Sequence, residues 1–376
     1  MKFRLLYVVL ITVLCSCNGH RTEENVRFDS NANEMTFNIE RNTIKIKDIV
    51  DSMEFIPLKL QKGDFIKEIE KVVCKANFIH VLDQKNNSVY SFTHDGEFVD
   101  KVACKGNGPK EYSHINDFAV SNDTILILSR DKINFYNVNG EFLKSVRLRF
   151  TAVKMECVGQ CIALYRECNT ALGDEEYFYD LILCDMNGKV ISKHIPFSEE
   201  YMVTGKPFCW NNDRLYFCSQ LSDTVYSIKN ASLCPERVIH LHGKNEDKKV
   251  PNQKTHKSNF VCDFYDTDQV MCFSVEGEDI GNVCYSKKDS SSVIYNGISA
   301  DDKFLFQGIG PKTSFNSKLY TVWDPVEFMT ALHENPKVLP QMKKHFPHYK
   351  DLFTLMEHED SAPVLIVETL KTSFKN

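Results

Sequence analysis

Phe78-Ile79-His80-Val81-Leu82-Asp83, a short polar turn, Val89-Tyr90-Ser91-Phe92, then Asp95-Gly96-Glu97-Phe98: this run returns once, in the same order, further along the chain. Its second copy is Thr124-Ile125-Leu126-Ile127-Leu128, a polar turn, Ile133-Asn134-Phe135-Tyr136, then Asn139-Gly140-Glu141-Phe142. Each copy reads as strand, turn, strand, Asx-Gly hairpin, strand, because an Asn-Gly or Asp-Gly pair supplies the positive φ that tight hairpins need. Val89 to Ile133 and Asp95 to Asn139 are both 44 residues. A fixed period in this range with several short strands per unit is the signature of a β-propeller.

The third strand of the unit can be followed onward from Val89 and Ile133 through Leu181, Val225, Val283 and Leu319. These markers give six units. The Asn187-Gly188 turn repeats the hairpin in the third, and the widest gap holds a Lys/Asn/Asp-rich insertion from Lys244 to Lys257, read as a surface loop. The expected fold is all-β, a six-bladed propeller over residues 36–376. Composition agrees: 26 Phe and 15 Tyr accompany alternating Val and Ile, the residue types that fit a pleated surface.

The two ends of that span carry their own signals. Thr36 to Lys47 alternates Phe37, Ile39, Ile44 and Ile46, an extended lead-in. In Val50-Asp51-Ser52-Met53-Glu54-Phe55-Ile56-Pro57-Leu58 the proline lacks a ladder donor, which places the strand at an edge. Asp324-Pro325 is a helix start, a capping Asp before Pro at the first helical position. Val326, Met329 and Leu332 share one helical face, and a second helical run is Leu352, Phe353, Leu355 and Met356, with Pro336, Pro340 and Pro347 as breaks between them. Two short helices are therefore expected, an insertion over about 325–358. The β pattern resumes at 363–370, as a terminal strand would if the two chain ends share one blade and close the ring.

Residues 1–17 read as an export signal: Lys2 and Arg4, an apolar run from Leu5 to Leu14 too short to span a bilayer, then Leu14-Cys15-Ser16-Cys17. That ending resembles a bacterial lipobox, which would make Cys17 the acylated first residue of the mature chain and the bilayer its partner. Residues 18–35, polar and poor in apolar side chains, read as a flexible tether. The localisation expected is the cell envelope, with the outer membrane favoured. The net charge of −6 comes with no basic block, so no nucleic-acid partner is expected.

Twelve of the fourteen cysteines follow Cys17. Most sit singly within apolar strand patterns, such as Cys184, Cys218 and Cys272, and read as core thiols. Cys157 and Cys161 form the best candidate for a cross-turn pair; no second Cys pair stands at zinc spacing, so no metal site is expected.

With these residues placed, the sequence resembles the six-bladed β-propeller lipoproteins of Bacteroides-type bacteria, which carry NHL-like repeats. The opening strand 50–58, the loop Gly106-Asn107-Gly108-Pro109-Lys110-Glu111-Tyr112 followed by Ile115-Asn116-Asp117-Phe118, and the closing Ala362-Pro363-Val364-Leu365-Ile366-Val367 carry the likeness. In the loop, Asn107 and Lys110 stand where the family usually has Arg and Gly. The resemblance implies an envelope location and a binding or scaffold role, often linked to glycan or peptide uptake.

Candidate site residues come from two places. The loop recurs as Gly308-x-Gly310-Pro311-Lys312, and its spacing is not that of a phosphate-binding Walker loop. An inter-blade connector is the plainer reading. The functional one gives its amides, with Lys105, Asn107, Glu111 and Tyr112, to a ligand mouth on one face of the ring. Tyr165, Arg166 and Trp210 are the other candidates, with Arg166 expected on an inner strand, where it must pair or meet water. No nucleophile elbow, dinucleotide fingerprint or His-Glu-x-x-His motif is present, and no cofactor is implied. Two functions compete: an envelope-anchored propeller that binds a glycan, peptide or protein, and a propeller hydrolase or lyase. Carboxylates or histidines meeting at one point of the central channel would favour the enzyme; apolar and amide groups there would favour the binding module.

Overall fold

The computed structural model describes residues 32–40, 42–169, 175–197, 206–219, 222–243, 259–299, 309–357 and 362–374. The expected signal segment with Cys17, most of the expected tether, Gly308 and the 244–257 insertion lie outside them. Six sheets form the blades, each with four antiparallel strands from the axis outward, and these strands are sequential in blades 1 to 5. Blades 1 to 3 start with inner strands Ile69–Cys74, Asp117–Ser121 and Lys154–Val158; blades 4 to 6 start with Phe208–Asn211, Asn259–Asp266 and Ile309–Phe315. The fold is the six-bladed β-propeller expected from the repeat.

The core is a set of layers between neighbouring blades rather than one central mass. Ile79 and Val81 of blade 1 pack with Tyr320 and Leu365 of blade 6. Leu82 and Val89 of the same blade pack on the other side against Phe118 and Ile125 of blade 2. Equivalent layers join blades 2 and 3, 3 and 4, 4 and 5, and 5 and 6. A middle strand is therefore apolar on both faces, which explains why Ile79–Asp83 and Ser88–Phe92 are buried throughout. Among the polar exceptions in blade 1, His80 faces Ser91 across the strands, with Nδ1 2.9 Å from the serine Oγ. Burial, helped by Lys75, pulls its pKa down to about 4, so the ring is neutral.

The repeated Asx-Gly turn has a second purpose. Gly96 has φ +81°, and a Cβ there would lie 2.0 Å from the Pro57 carbonyl oxygen on the outer strand of blade 6. Gly140 and Gly188 repeat this approach toward the outer strands of blades 1 and 2, at Lys101 and Val146. The turn of one blade thus abuts the outer strand of the blade before it, and only glycine satisfies both the conformation and the space.

Blade 6 is assembled from both chain ends. Its order is Ile309–Phe315, Lys318–Trp323, Val364–Leu370 and Val50–Pro57, so Pro57 lies on the outermost strand, opposite Val364. The expected closure is present. One marker shifts: Leu319 is on the second strand of its blade, because the helical insertion separates the second strand from the third. The other five markers fall on third strands. The lead-in adds more stitching than an extended segment alone. Asn33–Asn38 pairs in parallel with the outer strand of blade 4, and Thr43–Lys45 with Gly297–Ser299. Phe37, Ile39, Ile44 and Ile46 are buried along it.

The insertion contains three α-helices rather than two: Pro325–Glu334, Val338–His345 and Lys350–Leu355. The Asp324 side chain accepts from the Val326 amide at 2.8 Å, capping the first. Pro340 does not break the second helix, because it sits in the first turn, where no intrahelical donor is required. The helices cover blade 6 through Phe55, whose ring meets Phe346, Tyr349 and Phe353 at centroid distances of 5.0–5.1 Å. Cys157 and Cys161 do not face each other: Cys157 opposes Ile162, and Cys161 opposes Val158. The cysteines that do are Cys272 and Cys284, on adjacent strands of blade 5.

Candidate ligand-binding channel

The six inner strands surround a cavity of about 330 Å³ on the ring axis. Its wall includes Glu70, Lys71 and Lys75 from blade 1, Asp117 from blade 2 and Lys154 and Glu156 from blade 3. Lys206, Phe208 and Trp210 enter from blade 4 and the residues before it, Tyr265 from blade 5, and Lys312 from blade 6.

Lys71 is a hub. Its Nζ lies 2.8 Å from Glu156 Oε1 and 3.1 Å from Asp117 Oδ2, and it donates to the carbonyl oxygens of Phe118 and Met155 at 2.9 and 3.1 Å. One ammonium from blade 1 thereby ties blades 2 and 3. Burial opposes its charge, but Asp117 and then Glu156 outweigh burial and hold the lysine well above its ordinary pKa. Both carboxylates are also used elsewhere. Asp117 Oδ2 accepts from the Met155 amide at 2.6 Å, and Glu156 Oε2 accepts from Trp210 Nε1 at 3.0 Å. Trp210 is pinned further by Lys75, whose Nζ stands 4.2 Å from a ring centroid. Its carbonyl accepts from Ser314 Oγ at 2.7 Å, a link from blade 4 to blade 6.

A second cluster is made of Lys154, Lys206 and Lys312 around Glu70. Lys154 Nζ is 3.3 Å from Glu70 Oε1. Lys206 donates to Tyr265 Oη at 2.8 Å and to the Pro311 carbonyl. Burial pulls the Lys206 pKa down to about 8; Asp263 and Glu70 work against that, while Lys312 and Lys154 add to it. Burial would raise Glu70, but Lys154, then Lys312 and Lys206, leave it below its ordinary value. A smaller cavity of about 180 Å³ adjoins this cluster and shares Lys206 and Lys312 with it. There Glu368 is fully buried, accepts from Thr321 Oγ1 at 3.3 Å and has no hydrogen-bond partner for Oε1 among the described residues. Burial pushes its pKa up to about 7.

Of the site residues expected from sequence, Trp210 lines this channel and the others lie elsewhere. The 105–112 loop is a clasp between blades 1 and 2. Glu111 Oε2 accepts from the Gly108 amide at 2.8 Å, and the Gly106 amide donates to the Tyr112 carbonyl at 2.9 Å, so these amides are already used. The Tyr112 hydroxyl is buried, donating toward the carbonyls of Asn87 and Val102 at 3.0 and 3.2 Å and accepting from the Cys104 amide. Lys105 and Asn107 are exposed on this clasp. The related Gly310-Pro311-Lys312 is no loop but part of an irregular inner strand that puts Lys312 at the axis. Tyr165 ends the second, not the inner, strand of blade 3. Arg166 follows it, fully buried, with Nε 2.8 Å from the Thr151 carbonyl and further bonds to the carbonyls of Tyr177 and Asn169. It fastens a loop.

The channel lysines and carboxylates have no motif of their own, because they stand as one or two charges within short apolar strands or just before them. The available signal was their place: Glu70-Lys71, Asp117 and Lys154-x-Glu156 all fall in the first strand of a unit. Among the described residues, no three His, Cys, Asp or Glu side chains stand together as metal ligands, and no helix is long and apolar enough to cross a membrane.

A "Putative exported protein" from Bacteroides fragilis shares this fold, with a TM-score of 0.69 and 17% identity over 90% of this chain and 99% of that one. A member of the duf4221 family from Bacteroides vulgatus matches at TM-score 0.51 and 12% identity, over 86% and 97%. A streptogramin B lyase is more remote, at TM-score 0.42 and 12% identity over 72% and 80%. No curated protein matches the chain. The sequence profile of DUF4934, a domain of unknown function, matches residues 32–368, and the chain belongs to that family.

Proposed function

We propose that this protein is a binding module of the cell envelope, held to a bilayer by acylated Cys17, and that its ligand, a glycan or peptide fragment, sits in the central channel. The observation that carries this reading is the channel itself. A cavity of about 330 Å³ lies within the usual range for small-ligand sites. Its wall joins aromatic side chains, Trp210 with Phe208 and Tyr265, to several charged side chains whose positions are fixed by hydrogen bonds across the ring. The competing reading, a hydrolase or lyase, needs an acid and a base free to move protons. Of the three carboxylates that line the channel, Asp117 and Glu156 both hold the Lys71 ammonium and Glu70 pairs with Lys154.

The test uses the full-length protein purified from its envelope. Native mass spectrometry should find a small molecule retained by the wild type and lost from Trp210→Ala. Retention by that variant places the ligand outside the channel and overturns the reading. A fatty-acid analogue should label the wild type and not Cys17→Ser; labelling that persists removes the anchor.

A further inference from the structure

We propose that the ligand of the channel carries a carboxylate, as an acidic sugar or peptide terminus does, and is taken there by Lys206 and Lys312 with Lys154 beside them. The proposal rests on the channel-binding reading above and adds the ligand's charge. Its ground is an imbalance between the two clusters in one cavity. Around Lys71, one ammonium meets two carboxylates. Around Glu70 the ratio reverses: three lysines from three different parts of the ring share its electrostatic reach. Lys154 alone is in ion-pair contact with it. Among the described residues neither Lys206 nor Lys312 has a carboxylate within ion-pair distance.

Three like charges gathered at a partly enclosed site repel one another, and low-dielectric walls strengthen that repulsion. An arriving carboxylate removes it and gains charge-assisted hydrogen bonds. Few neighbouring groups offset that charge. Tyr265 Oη accepts from Lys206 and donates to the Pro311 carbonyl; the acids facing the lysines besides Glu70 are Asp263, near Lys206, and Glu368 of blade 6, which lines the adjoining cavity with both lysines and is pushed up to about 7 by burial. The imbalance stands out on a chain whose net charge is −6, and the cavity volume limits the ligand to roughly the lower end of the small-molecule range.

Lysine 206, poised at about 8, also makes the site pH-sensitive. Its ammonium is present at pH 7 and is lost as pH rises through 8, so affinity for an acid should fall between pH 7 and 9.

The experiment is calorimetric titration of the full-length protein with galacturonate, digalacturonate and citrate, with galactose and lactose as neutral controls. The sugar acids and citrate separate an acidic saccharide from a simple polycarboxylate. One of the acids should bind, should weaken with added salt, and should lose roughly ten-fold or more in affinity in Lys312→Gln, the loss of one charge-assisted bond. Lys312→Gln has no ion pair to lose, and its unfolding midpoint is measured alongside to show that it folds. Binding of a neutral sugar that equals the acids and survives Lys312→Gln overturns the inference of charge. If that neutral binding is lost in Trp210→Ala, the channel reading stands without it. No binding by any of the three acids also overturns the inference, while loss of the co-purified ligand in Trp210→Ala judges the channel reading separately.

Discussion

The two charged clusters of the channel are built from the same side-chain types and have opposite consequences. At Lys71 the charges close on each other: an ammonium, two carboxylates, two carbonyls and the Trp210 indole form one set of contacts across blades 1 to 4. At Lys206 and Lys312 no carboxylate is in ion-pair contact among the described residues, although Asp263 and Glu70 act on Lys206 from farther away, and no charged neighbour lowers the pKa of the nearby Glu368. Asp117 Oδ1 has no hydrogen-bond partner among the described residues, but the charges of the first set are paired, and a paired buried ion set holds a structure in register. An unsatisfied one costs stability and is retained where something else completes it. The first cluster is architectural, and the second is the one to which the proposal above gives the ligand.

The widest separation between the clusters should appear on removing one cation from each. Lys71→Met strands Asp117 and Glu156 as buried like charges, with an expected loss of about 3–5 kcal/mol, read from urea unfolding. A loss under 1 kcal/mol would show that the hub is not the tie it is described as.

The next effect is a pH dependence at the open cluster. Glu368 has a folded pKa of about 7 against an ordinary 4.5. Between those values the native state binds more protons than the unfolded chain, so stability falls as pH rises from about 4.5 to 7 and the loss is complete above it. The size is roughly 3 kcal/mol at most. Glu368→Gln, neutral at every pH, should flatten that slope in melting curves taken from pH 5 to 8; an unchanged slope would remove Glu368 as its source.

The smallest effect sharpens the contrast most. Lys312→Gln should change stability by no more than about 0.5 kcal/mol in the absence of ligand, since it loses no partner and relieves Lys206 of a like charge. A loss comparable with that of Lys71→Met would place Lys312 in a structural ion pair and end the distinction.

The ring was legible because its signals are local. Asp95-Gly96 and Asn139-Gly140 carry turn geometry in two residues, and Val89 and Ile133 mark strands buried on both faces. Asp324-Pro325 announced its helix for the same reason. Pro340 misled because a proline's effect depends on which turn it occupies, and that is fixed by the helix start. Leu319 misled because the sixth blade takes its third strand from beyond an insertion.

By itself the sequence determined the six-unit β repeat, the closing of the ring by strands from both ends, and the capped helical insertion. Each follows from backbone preferences and apolar spacing over a few residues. Only the tertiary structure decided the site. It turned the glycine-rich loop into a clasp, fastened Arg166 to carbonyls, and carried Lys71, Lys206 and Lys312 to one cavity from positions up to 241 residues apart. Charge compensation is a property of which side chains meet across the axis, and strand spacing along the chain does not encode that meeting.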